Sequence, residues 1–186
     1  MKKDLNLETI VNIIIIVTGI GLIIYPWFGE MQPINLFHYL LGMFTGLKLV
    51  EFAAQKDKSD KENLYVAIAS AIVPFLAIVK FPNNSMLLPL SILTWVSLLA
   101  IVKLIKIDYL HDRDLEFYKV KLYGFILFII LGILTSYSIH FLEEGKTIII
   151  GFFVIAMGLL DLFKDHVEVY LSKSIKKKTS KTKKNK

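Results

Sequence analysis

The chain has 186 residues, 55% of them apolar, with a mean hydropathy of +0.59, a net charge of +6 and no cysteine. That length suits one domain, and the missing cysteine excludes disulfides, thiolate nucleophiles and thiolate-held metals. The positive charge sits mainly in residues 173–186, which carry eight lysines and no acid, on an otherwise nearly neutral body; nucleic-acid binding, which needs a basic surface with base-reading groups, is therefore not expected.

Six apolar stretches follow in chain order, over residues 10–28, 34–54, 64–81, 86–107, 117–141 and 147–163. Each is close to the roughly 20 residues that a helix needs to span a bilayer core, and none alternates with period two, so helices are expected and strands are not. The first stretch follows Asp4 and Glu8, carries Gly19 and Gly21, and ends on Tyr25-Pro26. Its length and flanks predict a retained helix, not a cleaved signal peptide.

The second stretch holds His38 near one end, then Gly42 and Gly46 in a G-x-x-x-G spacing, then Lys48 and Glu51. Two glycines on one face let backbones approach closely in lipid. The partner is either another helix of this chain or a second copy in a homo-oligomer. Lys48 and Glu51, three apart, can pair on one helix face. Charges inside a span cost roughly 2.5–3.5 kcal/mol each on insertion scales, so they are either interfacial ion pairs or a functional polar site.

The third stretch contains Pro74, which removes one helical hydrogen bond, and ends on Phe81-Pro82. The fourth runs into Lys103 and Lys106. The fifth ends near Tyr137, Ser138 and His140. His38 and His140 both fall at the expected outer boundary, where a histidine is either a plain interfacial group or a sensor of external protons. The sixth carries Gly151 and Gly158, seven apart on one face, and then Asp161. Asp161 joins Lys48 and Glu51 as a candidate intramembrane polar site. Glu143 and Glu144 are adjacent, and adjacency does not supply the convergent geometry of catalytic carboxylates. No phosphate-binding, nucleophile-elbow or metal-ligand motif occurs, so no enzyme activity and no cofactor is expected.

Cations decide the orientation. Lys2 and Lys3, Lys56, Lys58 and Lys61, the run from Lys103 to Lys121, Lys164 and the tail put nineteen lysines and arginines on one side, against Lys80 and Lys146 on the other. Six crossings with both termini cytoplasmic, in the cell membrane, follow.

Shifted by 56 residues, landmarks coincide: Tyr25-Pro26 with Phe81-Pro82 and Tyr137-Ser138, Pro33 with Pro89 and Gly145, Asp4 with Asp60 and Glu116. Gly46, Val102 and Gly158 also coincide. The expected fold is all-α, with six transmembrane helices arranged as three tandem hairpins over residues 1–56, 57–112 and 113–168. Residues 169–186 are expected to form a disordered, lysine-rich cytoplasmic tail, because so apolar-poor a segment cannot bury enough surface to fold. Such a tail is suited to anionic lipid on the inner leaflet.

Three hairpins whose first helix runs Gly19-Ile20-Gly21 to Tyr25-Pro26, and whose second carries Leu41-Gly42-Met43-Phe44-Thr45-Gly46, resemble the HdeD-like family of small six-helix membrane proteins. The likeness covers nearly the whole chain and departs at Ser138, where the turn proline is missing, and in the tail. It implies a non-enzymatic membrane protein connected with stress or acid resistance. Two alternatives stand beside it: a small channel or transporter with a polar site near the cytoplasmic side, and an accessory or immunity-type membrane protein.

Overall fold

The computed structural model describes residues 7–55, 60–80, 86–111, 115–141 and 145–163. Among them the chain is all-helical. The helices are α1 (Leu7–Ile24), α2 (Pro33–Ala54), α3 (Glu62–Lys80), α4 (Leu87–His111), α5 (Leu115–Phe141) and α6 (Lys146–Phe163), with a 3-10 turn, Tyr25–Trp27, closing α1. Residues 164–186, with the lysine tail, lie outside the described residues, as do Phe81-Pro82, Glu143 and Glu144.

Breakers set the helix starts. Pro33 opens α2, where its missing N–H would have had no partner anyway. Pro89 lies in the first turn of α4, which tolerates it for the same reason. Gly145 takes φ +79, a conformation that glycine adopts without strain, and its carbonyl accepts the first hydrogen bond of α6 from Ile149 N–H at 3.1 Å.

Among the described residues, five helices are long and apolar enough to cross a membrane; α3 is apolar over the shorter run Glu62–Leu76. A helix of 22 residues such as α2 is about 33 Å long, the thickness of a bilayer core. Large apolar side chains point outward on every helix, among them Val17, Tyr39, Phe75, Ile105, Leu134 and Phe152. Water tolerates no such continuous apolar jacket, whereas hydrocarbon does. The construction fits an integral membrane protein.

The core is centred on Trp95, which is fully buried. Phe37, Phe44 and Phe153 meet its ring edge-on, with centroids 5.9, 5.5 and 6.1 Å away, so α2, α4 and α6 converge on one aromatic layer. Phe128 brings α5 into the layer against Phe153. A buried indole N–H needs an acceptor, and Trp95 Nε1 donates to Ser70 Oγ of α3 at 2.9 Å; that hydroxyl in turn donates to the Val66 carbonyl. Elsewhere hydroxyls bond back to carbonyls four residues earlier, as Thr18, Thr45, Ser97 and Thr135 do, which satisfies them without water. Ser136 reaches across from α5 to the Pro89 carbonyl of α4 at 3.0 Å.

Among α1 to α5, the closely packed neighbours are α4 with α5, α2 with α3, and α3 with α4, whereas α1 touches α2 only sparsely. The first hairpin is therefore not a tightly packed unit. Instead α1 lies against α6, where Gly19 and Gly151 meet: a Cβ on Gly19 would come within 2.8 Å of the Gly151 carbonyl oxygen, and one on Gly151 within 2.7 Å of the Gly19 oxygen.

Candidate functional site

Charged side chains from all six helices gather at the end of the bundle formed by the start of α1, α3 and α5 and the end of α2, α4 and α6. They line a cavity of about 110 Å³. Its rim holds Glu8 of α1 and Asp60 before α3, its walls hold Asn12, Lys48, Glu51, Lys103, Lys106, Lys121 and Asp161, and its buried floor is apolar, made by Phe44, Val66, Leu99 and Met157. Phe44 also edges Trp95, so the aromatic layer closes the cavity from below.

Local helical spacing builds the walls. Lys48 and Glu51, one turn apart on α2, face inward and join at 2.6 Å, with the carboxylate side chain only 2% exposed. The ammonium also stands 5.7 Å from the Phe44 ring centroid. Gln55 follows Glu51 by one more turn and caps α2, its backbone N–H donating to the Glu51 carbonyl at 3.0 Å. Across the cavity, Lys103 of α4 reaches Asp161 of α6 at 3.4 Å and lies 5.4 Å from the Phe128 ring centroid. Lys106, a turn further along α4, pairs with Asp60 at 2.8 Å and with Glu62, tying the end of α4 to the start of α3. Asp60 also accepts from the Glu62 backbone N–H at 3.1 Å, capping α3. A side pocket of about 40 Å³ extends this region between α5 and α6, past Gly124, Phe125 and Leu160.

The three residues expected to form a polar site, Lys48, Glu51 and Asp161, do line one cavity, although Asp161 is held by Lys103 and not by Lys48. The glycines divide. Gly151 and Gly158 sit in close helix contacts with α1; a Cβ on Gly158 would meet Ile16 Cγ1 at 2.7 Å. Gly42 and Gly46 face open space on the outer side of α2, so their expected tight packing within the chain is absent, and Gly46 is not the packing equivalent of Gly158. The reason is the turn of α2: Phe37, Leu41, Phe44, Lys48 and Glu51 take the inward face, which leaves residues 39, 42, 46 and 50 outward. His38 is half-buried beside Phe37, and its Nε2 is buried without a hydrogen-bond partner; His140 is exposed in the last turn of α5.

Sequence reasoning missed most of the cavity. Glu8, Gln55, Asp60, Glu62, Lys103, Lys106 and Lys121 look like the flanking charges of loops, and only the shared end of the bundle turns them into a lining. Gly19 and Gly132 were also missed as packing sites; Gly132 lies against Val96, where a Cβ would meet both methyl carbons at 2.6 Å. No family model, no curated protein and no solved structure matches the chain.

Proposed function

We propose that the chain is a non-enzymatic, six-span protein of the cell membrane whose polar cavity is a cytoplasmic vestibule for a small hydrophilic solute, as in a channel or transporter. The observation that carries this is the cavity itself: charged groups from six helices around about 110 Å³ at one end, closed by the aromatic layer. Burying so many ionisable groups is costly unless they pair or serve a polar path, and here they do the first while leaving room for the second. A share of about 30 Å³ per water gives the cavity space for a few waters or one small solute.

The cavity end is also the end where the cations accumulate, which supports its facing the cytoplasm. The sixth crossing is assigned to α3: its 19 residues make about 28 Å, close to a bilayer core. The threefold repeat draws support from the helix starts, since α2, α4 and α6 begin at Pro33, Leu87 and Lys146, spacings within three residues of a 56-residue period. The packed pairs α2 with α3, α4 with α5, and α6 with α1 are the same pair in such a ring. A link to stress or acid resistance rests on the family resemblance alone.

The chain has no cysteine, so an introduced one is its single thiol. Asn63→Cys and Val66→Cys, at two α3 positions that line the cavity, should react with a charged, membrane-impermeant thiol reagent in inside-out vesicles and stay unreactive in right-side-out ones. Leu41→Cys, in the aromatic layer's shell, should be unreactive in both. Failure of Asn63→Cys to react from inside, or reaction from outside, removes the vestibule.

A further inference from the structure

One stripe of α1 stays outside the bundle's packing. Ile13, Val17, Ile20 and Ile24 are exposed, and their spacing of three or four residues puts them on one helix face. The stripe continues past the end of α1 onto the 3-10 turn and its cap, where Trp27 is 68% exposed and Phe28 is 85% exposed. Beyond them the turn grows more polar, with Glu30 and Gln32 exposed. The turn is folded so as to present the aromatic pair. The Tyr25 carbonyl accepts from the N–H groups of Phe28 and Gly29, both at 2.9 Å, and the Tyr25 hydroxyl accepts from the Met31 N–H at 3.2 Å. The Tyr25 ring lies against Gly29, where a Cβ would overlap it. Tyr25 is thus taken up inside the turn, while Trp27 and Phe28 remain outside it. At the positions 56 residues later stand Asn83 and Asn84, so the pair is particular to the first outer turn.

We infer that Trp27 and Phe28 are a lipid-contact surface, which seats the outer end of α1 at the boundary between acyl chains and headgroups. Length supports this depth. The 18 residues of α1 rise about 27 Å, nearly the thickness of the hydrocarbon core, so the residues just past its end fall at the boundary. An indole suits that level, because its ring can face the chains while its N–H faces headgroups and water. Continuity identifies the occupant. The pair prolongs the exposed stripe of α1, and that stripe belongs to the apolar jacket that every helix turns outward; in a membrane the medium against such a jacket is lipid. The contact also supplies what packing does not, since α2, the next helix in the chain, touches α1 only sparsely. It rests on α1 crossing the bilayer, as proposed above, and not on the vestibule.

The test is a depth measurement on the full chain in phosphatidylcholine vesicles. Val17→Cys, Phe28→Cys and Glu30→Cys each place a single thiol at an exposed position, where a nitroxide label leaves the core packing alone. Relaxation of each label by oxygen, which concentrates among acyl chains, is compared with relaxation by a water-soluble nickel chelate present on both sides of the membrane. The label at position 17 should respond to oxygen and hardly to nickel, and the label at position 30 should do the reverse. The label at position 28 should fall between them, reached by both agents. A position-28 label as open to nickel as the one at position 30 would overturn the contact, because the pair would then stand in water. A label as deep as the one at position 17 would overturn it too. So would shielding from both agents, which a partner protein or a second copy would produce. Because the chelate is on both faces, a reversed orientation leaves these readings unchanged and instead reverses the labelling of Asn63→Cys, so the two proposals fail separately.

Discussion

At the scale of single residues, the structure separates glycines that a pattern treats alike. Gly19 and Gly151 let two backbones touch, and neither neighbour can yield, because what a Cβ would strike is a carbonyl oxygen. Gly151→Leu should therefore cost more than the usual 1–3 kcal/mol of overpacking and prevent a folded bundle, whereas Gly46→Leu, on an open face, should leave Tm in detergent within about a degree or two. Size-exclusion profiles and thermal melts of the two variants check this. Lys48 offers a second contrast. Removing it as Lys48→Met strands a carboxylate that is 2% exposed, at a cost of about 3–5 kcal/mol. The double variant Lys48→Met with Glu51→Leu should recover most of that loss, and denaturation of the single and double variants measures the difference. These charges were legible in the sequence because they interrupt an apolar run. The inward turn of α2 was not, because Gly42-x-x-x-Gly46 marks a face without saying what lies against it.

At the scale of elements, α3 depends most on its neighbours. It is the shortest apolar run among the six, and it is fastened at one end by Lys106 through Asp60 and Glu62 and near its middle by Ser70 through Trp95. Lys106→Met should free the start of α3 without unfolding the bundle. Hydrogen exchange should then quicken in residues 60–66 and stay unchanged near Ser70; a uniform increase along α3 would show that the ion pairs hold the whole helix. The six helices were readable because apolar length and breakers such as Pro33 and Gly145 bound them locally. Their neighbours were not, because apolar helices offer many equivalent faces. The choice of α6 over α2 as the partner of α1 is made by where glycine permits closest approach.

At the scale of the whole molecule, the charge asymmetry and the cavity make one claim about direction. Reporter fusions at Gln32, Asn84 and Glu144 should read as external, and fusions at Asp57, Asp112 and the tail as internal. If α3 did not cross, every report after Asp57 would invert, with Asn84 and Glu144 internal and Asp112 and the tail external. The membrane character was legible from composition and run length. The cavity was not, because its residues come from six helix ends and become neighbours only when the bundle closes.

The aromatic layer has one further consequence, an optical one. The chain has two tryptophans, and they stand at opposite extremes: Trp27 is 68% exposed and Trp95 is fully buried. In a Trp27→Phe variant all indole emission would originate one ring away from the cavity floor, through Phe44. Its spectrum should be blue-shifted and insensitive to aqueous quenchers at rest. The bundle thus carries an intrinsic fluorophore at the boundary between its wet end and its dry interior, where any opening of that boundary would register as a red shift in the light it emits.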